Sequence, residues 1–196
     1  IDNLINSIID IFDKKPNPKI EINSEIKIYV SDVRSLIKQF NDSYLNYGEI
    51  PTLDSKFKTD LFKTFMSYLY AKEFFPRYYN LISDQRGSFS ELIRTGSLGQ
   101  VSYSTTFPGE TRGDHFHTRK IERFSVINGK SIIKIRKINS NEIIEFKLEG
   151  KTPSYVDIPI WHTHNITNIG DDPLVTVFWI NEFYNQDDSD TFYEKV

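Results

Sequence analysis

Glycine is confined almost wholly to the second part of this 196-residue chain. Only Gly48 precedes Pro76, whereas Gly87, Gly96, Gly99, Gly109, Gly113, Gly129, Gly150 and Gly170 punctuate the chain beyond that proline. Between these glycines lie short runs rich in β-branched and aromatic residues, at 88–94, 100–107, 123–128, 131–138, 141–148, 154–158 and 173–180. Several short strands separated by turn residues predict a sandwich or a barrel. No internal repeat or low-complexity tract interrupts the pattern.

The first third has a different texture. Leu4, Ile5, Ile8, Ile9 and Phe12 fall at helical spacing, and Pro16 and Pro18 stop that helix. Ile20, Ile22, Ile26, Ile28 and Val30 alternate, which predicts an extended segment over 19–30. Ser31 is placed to cap a helix through Val33, Leu36, Ile37 and Phe40. After a loop around Gly48 and Pro51, Phe57, Leu61, Phe65 and Leu69 recur every four residues, the spacing of an amphipathic helix. The expected fold is therefore mostly β, preceded by a mainly helical N-terminal segment. Residues 1–48, 49–80 and 81–196 are the expected divisions, with the change of texture near 76–82.

Composition narrows the function classes. Hydrophobic residues make up 38 %, aromatic residues 14 % and charged residues 26 %, which excludes a disordered chain. A chain of this length buries roughly 70 % of its extended surface and needs no cross-link to hold a core. A net charge of −3 gives no basic field for nucleic acid or an anionic membrane. Cysteine is absent, so disulfides, thiol nucleophiles and Cys-ligated metal sites are excluded. No apolar run reaches the roughly 18–20 residues of a bilayer span. The opening Ile1-Asp2-Asn3 has neither an initiator Met nor the order of a signal peptide. The expectation is a cytoplasmic protein whose true start lies upstream.

The chain has four histidines, His115, His117, His162 and His164, in two H-x-H pairs. On a strand, residues two apart face the same side, so each pair is able to project into one cavity. Glu122 follows His117 closely enough to join it across a tight turn. Two imidazoles and a carboxylate from one hairpin, with a third imidazole from a distant strand, make a good divalent-metal shell. A single H-x-H is more often an ordinary barrel-lining or surface pair; the flanking spacing reverses that. Gly109, His115, His117, Glu122 and Gly129 read G-x5-H-x-H-x4-E-x6-G, and Pro159, His164 and Asn168 read P-x4-H-x3-N. These resemble the two motifs of the cupin superfamily, small jelly-roll barrels that hold a metal in the barrel mouth. The second motif departs at Trp161, where the family usually has glycine. His162 lies outside the general pattern, and an alternative ligand, an acid/base group, a hydrogen-bond donor to a ligand and a rim histidine all remain open for it.

A closer resemblance covers most of the chain. The segments D-Q-R-G-S-F-S-E from Asp84 to Glu91, Arg94-Thr95, G-Q-V-S from Gly99 to Ser102, H-N-I-T-N-I-G from His164 to Gly170 and D-T-F-Y-E-K-V from Asp190 to Val196 carry it. They resemble the C-terminal half of the CapF-like capsular-polysaccharide enzymes, bifunctional UDP-2-acetamido-2,6-dideoxy-hexos-4-ulose reductases. In that family an N-terminal short-chain dehydrogenase domain binds NADPH and reduces the C4 ketone, after a zinc-bearing cupin domain has epimerised C3. I-Y-V-S-D-V-R from Ile28 to Arg34 resembles an element near the end of such a dehydrogenase domain, which would make residues 1–48 its remnant. A dinucleotide fold needs a glycine-rich first turn, and no glycine precedes Gly48, so no NADPH site is expected in this chain. Tyr68 and Lys72 copy the dehydrogenase Tyr-x3-Lys pair by letters only.

The resemblance implies Zn²⁺ at His115, His117, Glu122 and His164, with iron or manganese not excluded by the ligand types. A proton at C3 beside a C4 ketone becomes acidic when the enolate is stabilised, and a zinc ion supplies that. His162, Tyr103 and a zinc-bound hydroxide are the candidate bases. Arg86, Arg94 and Arg112 are the expected donors to a UDP diphosphate, with Arg119 a further candidate and Gln100 counted with the substrate-binding residues. A homodimer is also implied, with Phe183, Tyr184, Phe192 and Tyr193 available for packing. Two rival readings stand beside the epimerase: a three-His, one-Glu dioxygenase, and a non-catalytic nucleotide-sugar-binding cupin. Metal identity separates the first rival, and solvent exchange at C3 the second.

Overall fold

Alternation along single strands shows where the core lies in this computed structural model, which describes residues 26–69, 71–96 and 99–196 together with Ile5, Asn6, Ile8 and Ile9. On Lys130–Lys137, Ser131, Ile133 and Ile135 are buried while the residues between them are not. Eleven strands form among the described residues: β1 (Ile82–Asp84), β2 (Gly87–Arg94), β3 (Gln100–Thr106), β4 (Thr111–Phe116), β5 (Glu122–Asn128), β6 (Lys130–Lys137), β7 (Ile143–Glu149), β8 (Ser154–Ile158), β9 (His162–Asn168), β10 (Leu174–Ile180) and β11 (Phe192–Tyr193). They pair into a six-stranded sheet, ordered β1-β2-β3-β10-β5-β8, and a five-stranded sheet, ordered β11-β4-β9-β6-β7. The strand pairs are antiparallel throughout.

Phe124 and Val126 of β5, Val156 and Ile158 of β8 and Leu174 of β10 pack against Ile133, Ile135 and Ile166 from the other sheet. Each such side chain contributes about 1.5–3 kcal/mol on leaving water. The inner face of β3 is different in kind. Gln100, Ser102, Ser104 and Thr106 are all buried there, and the first three line a cavity.

Before the strands lie α1 (Val30–Phe40), α2 (Lys56–Ser67) and α3 (Ala71–Phe74), with a π-helical turn at Asn41–Leu45, and the described residues Ile5, Asn6, Ile8 and Ile9 are also helical. Ser55 caps α2 by accepting from the Lys58 amide at 3.2 Å. Phe40, 1 % exposed, meets Phe62 at 5.1 Å and Phe65 at 5.8 Å between ring centroids, and Tyr44 packs on Phe62 at 5.4 Å. The chain divides into two compact units, 1–38 and 39–196. Within the second, the backbone of Ile50 bridges to the end of β2, accepting from Gly96 at 2.7 Å and donating to Arg94 at 2.8 Å.

The strand runs expected from 88 onward form within a residue or two of their predicted bounds, and the helix over Phe57–Leu69 forms but stops at Ser67. The extended segment over 19–30 does not form where it is described: residues 26–29 have no regular structure and Val30 already belongs to α1. Ser31 therefore lies inside α1, its hydroxyl on the Asp32 carboxylate at 3.4 Å, and is not a cap. Residues 19–25 and most of the helix expected over 4–12 fall outside the described residues. No described helix is long and apolar enough to cross a membrane.

Candidate metal centre

The candidate ligands come from three strands and one connection. β4 supplies His115, the chain leaves that strand at Phe116 to present His117, β5 begins at Glu122, and β9 supplies His164. His115 and His164 are direct neighbours across β4 and β9, with a bulge between Gly113 and His115. The bulge needs its glycine. Gly113 has φ +111°, and a Cβ there would sit 2.6 Å from the His164 carbonyl oxygen.

The result is a tight cluster. Ring centroids of His115 lie 4.6 Å from His164 and 4.9 Å from His117. One donor atom from each of His115, His117, Glu122 and His164 falls within 4.8 Å of all the others. Glu122 Oε2 is 2.8 Å from His164 Nε2 and 3.3 Å from His117 Nε2. The other ring nitrogens are engaged by backbone: Nδ1 of His117 meets the Asp190 carbonyl, and Nδ1 of His164 faces the His162 carbonyl at 3.3 Å. Protons on Nδ1 leave both Nε2 lone pairs free toward the cluster, the tautomer a metal ligand requires.

These residues fit a divalent ion. His117 Nε2, His164 Nε2 and Glu122 Oε2 are fully buried yet make no hydrogen bond of acceptable geometry, despite their closeness. Buried polar atoms left so carry a desolvation penalty that a shared cation removes. Three imidazoles and one carboxylate suit zinc, iron or manganese. Burial, reinforced by the nearby His164, pushes the His115 pKa down to about 4, so its ring is neutral at pH 7. Burial also disfavours the charged form of His117, but the Glu122 carboxylate and the Asp190 carbonyl outweigh it and raise its pKa. For Glu122, burial is outweighed by the two imidazoles, which hold it well below the carboxylate range.

The cluster opens on a cavity of about 1190 Å³. Phe124, Ile166 and Phe178 line it beside His115, His117 and Glu122; Arg94, Gln100, Arg112 and Lys120 add polar groups; Tyr44, Tyr47, Tyr78 and Tyr79 form an aromatic wall. Gln100 is locked, donating to Ser102 at 3.0 Å and accepting from the Tyr184 amide at 3.2 Å. Arg94 pairs with Glu91 at 3.0 Å and lies 4.8 Å from the Phe183 ring centroid. Arg112 reaches Asp84 at 3.3 Å.

Other expected site residues stand apart from this cavity. Arg86 sits in the β1–β2 turn, its guanidinium 2.6 Å from Asp84, which it holds at a pKa of about 2. Arg119 is paired with Glu182 and Asp188. Tyr103 alternates with buried Ser102 and Ser104 and so faces away from the cavity they line. His162 shares a face of β9 with His164 but lies beyond the lining residues, its Nδ1 2.9 Å from the Ile160 carbonyl. Trp161, in the place of the motif's glycine, adopts the left-handed conformation glycine would take, with φ +60°. Its amide donates to the His117 carbonyl at 2.8 Å, so the turn keeps its form.

Two buried residues beside the candidate ligands escape sequence reading. Lys120, 3 % exposed, donates to the Ser189 carbonyl, and Asp190, 5 % exposed, gathers the connection after His117. Asp190 lies about seventy positions from the groups it binds, a distance at which no local spacing signals a contact.

Comparison with known proteins agrees with this architecture. Residues 82–192 match the polysaccharide biosynthesis C-terminal domain family. The chain is 30 % identical over 195 residues to the UDP-2-acetamido-2,6-beta-L-arabino-hexul-4-ose reductase of Pseudomonas aeruginosa, covering 98 % of this chain and 52 % of that protein. It is 25 % identical over 122 residues to the spore coat polysaccharide biosynthesis protein SpsL of Bacillus subtilis, covering 55 % of this chain and 78 % of that one. A crystal structure of the capsular polysaccharide assembling protein CapF from Staphylococcus aureus superposes with TM-score 0.83 at 36 % identity, over all of this chain and 57 % of that one. CapF with the inhibitor 3-isopropenyl-tropolone gives TM-score 0.82 at 35 % identity, again over all of this chain and 57 % of the other. The chain thus spans about half the length of the reductase and CapF relatives it matches. Two antiparallel sheets enclosing a His₃Glu cluster, with a family match over residues 82–192, make the chain a member of the polysaccharide biosynthesis C-terminal domain family, with a barrel of the cupin kind.

Proposed function

We propose that this domain epimerises C3 of a UDP-4-keto-6-deoxy-N-acetylhexosamine during synthesis of a surface-polysaccharide precursor, with Zn²⁺ held by His115, His117, Glu122 and His164. The observation that carries the reading is the convergence of these four donors, three of their atoms buried without a hydrogen bond, at a cavity that His115, His117 and Glu122 line together with cationic side chains. Bound there, zinc would supply the Lewis acidity that stabilises negative charge on the C4 oxygen while a base takes the C3 proton and an acid returns one to the opposite face.

The chain's own residues do the rest. Burial keeps His115 neutral and its lone pair available. Phe124, Ile166 and Phe178 give the reacting carbon an apolar floor, which strengthens every charge interaction beside it. Lys120 adds a fixed cation on the same wall. Arg94 and Arg112 offer guanidinium groups to a diphosphate, and Arg77 lines the same cavity. At about 1190 Å³ the cavity exceeds the roughly 300–1,000 Å³ of an ordinary small-molecule site, so a nucleotide sugar suits it better than a monosaccharide alone. The relative from Pseudomonas aeruginosa, a UDP-hexulose reductase by name, supports the same substrate class. Reduction at C4 we assign to the part of such relatives that this chain does not span, and residues 1–48 to the tail of that dehydrogenase domain. A homodimer completes the proposal, since the outer strand β7 leaves Ile143, Ile144 and Phe146 exposed.

Incubating the zinc-loaded chain with the 4-keto UDP-sugar in D₂O tests the reading. NMR is expected to show deuterium entering C3, with no entry after chelation. Zinc binding without exchange would point to a binding module or to an epimerase that works only beside a reductase domain, and iron with oxygen uptake to a dioxygenase.

A further inference from the structure

Two of the four candidate ligands, His117 and Glu122, sit at the two ends of one connection; Asn181 accepts the Ile121 amide at its far end at 2.8 Å, and Asp190 gathers the three amides before it. The amides of Thr118, Arg119 and Lys120 donate to the Asp190 carboxylate at 3.0, 2.9 and 3.0 Å, and the Thr118 hydroxyl donates to it at 2.5 Å. Three successive N–H groups closing on one carboxylate form an anion-binding nest. The same residue also holds a ligand ring directly, because the Asp190 carbonyl accepts from His117 Nδ1. Asp190 adopts φ +42°, a left-handed conformation that a residue with a side chain keeps only where its surroundings impose it. Immediately afterwards β11 pairs with β4, setting Tyr193 opposite His115 and Phe192 opposite Phe116.

We propose that Asp190 is the positioning residue of the metal centre: its carboxylate fixes the 118–120 backbone while its carbonyl fixes the His117 ring, so metal affinity depends on a side chain that never touches the metal. The inference rests on the metal reading above and adds a residue to it.

Zinc affinity of the chain, measured by competition with a chromophoric chelator, tests this together with the visible spectrum of the Co²⁺-substituted protein. Asp190→Ala is expected to weaken Zn²⁺ binding about 10- to 100-fold, the usual cost of losing a group that orients a ligand, and to shift the Co²⁺ bands. Asp190→Asn, which keeps one acceptor oxygen, is expected to fall between. Arg136→Ala cuts the 2.8 Å and 2.6 Å contacts to Glu194 and Lys195 without touching His117, and is expected to lower thermal stability while leaving affinity and spectrum unchanged. Affinity within twofold of wild type in Asp190→Ala, or an equal loss in Arg136→Ala, would overturn the proposal. Should Asp190→Ala not fold, Thr118→Val removes only the hydroxyl contact; a several-fold weakening supports the proposal and unchanged affinity sinks it. Failure of the wild-type chain to take up zinc would instead sink the metal reading, before any variant is compared.

Discussion

The candidate ligands are not equivalent, so substitutions are expected to differ in kind. Glu122 carries the cluster's only carboxylate, placed between two imidazoles. Glu122→Ala is expected to lower zinc affinity at least about 100-fold in a chelator competition; affinity within tenfold of wild type would contradict its role as ligand. Outside the cluster, Asp84 gives a cleaner electrostatic prediction. The Arg86 guanidinium holds its pKa at about 2, against an ordinary value of 3.8. A carboxyl whose folded pKa is depressed adds stability that is present above pH 3.8 and lost as pH falls toward 2. Carboxyl ¹³C shifts are expected to place its titration near 2, and Arg86→Ala to move it back up. Legibility at this scale depended on sequence distance. The H-x-H pairs and the Glu122 spacing pointed to the four candidate ligands through their match to the cupin motifs; strand alternation alone would not, since His117 lies past the end of β4 and the equally spaced His162 stays outside the cluster. Lys120 and Asp190 act on partners about seventy positions away, and nothing local betrays them.

Among the elements, β4 carries the most consequence. Its bulge at Gly113 sets His115 opposite His164. A Cβ at Gly113 would meet backbone at 2.6 Å, in a conformation side chains avoid. Gly113→Ala is expected to cost more than about 2 kcal/mol in chemical denaturation and to weaken metal binding with it; a variant of wild-type stability would contradict the bulge's role. On α2, Ser55→Ala is expected to cost about 1 kcal/mol, the worth of one N-cap. The strands with apolar inward positions, β5, β6 and β8, were legible as strands. β4 and β9 were harder, because the inward positions of β9 include His164 and Asn168 and those of β4 are interrupted by Gly113. The converse error arose at 26–30, where Ile26, Ile28 and Val30 alternate yet are all exposed. Alternation predicts a strand only where a neighbouring strand exists to pair with it.

For the whole molecule, the division of labour reflects where polar and apolar interiors meet. Apolar residues from both sheets form the core, and Phe124 and Ile166 of that core border the cavity together with Gln100, Ser102, Ser104 and three members of the cluster. The barrel was legible as a class from its glycine-punctuated strands. The cavity was not, because its aromatic wall comes from Tyr44, Tyr47, Tyr78 and Tyr79, residues that precede the first strand.

Metal analysis of the purified chain, by elemental spectrometry before and after chelation and reloading, tests the central claim most directly. The account predicts about one zinc per chain, removed by chelator, restored on reloading and absent from Glu122→Ala. A chain that takes up no divalent metal, or binds it equally well without Glu122, would contradict the account at its foundation.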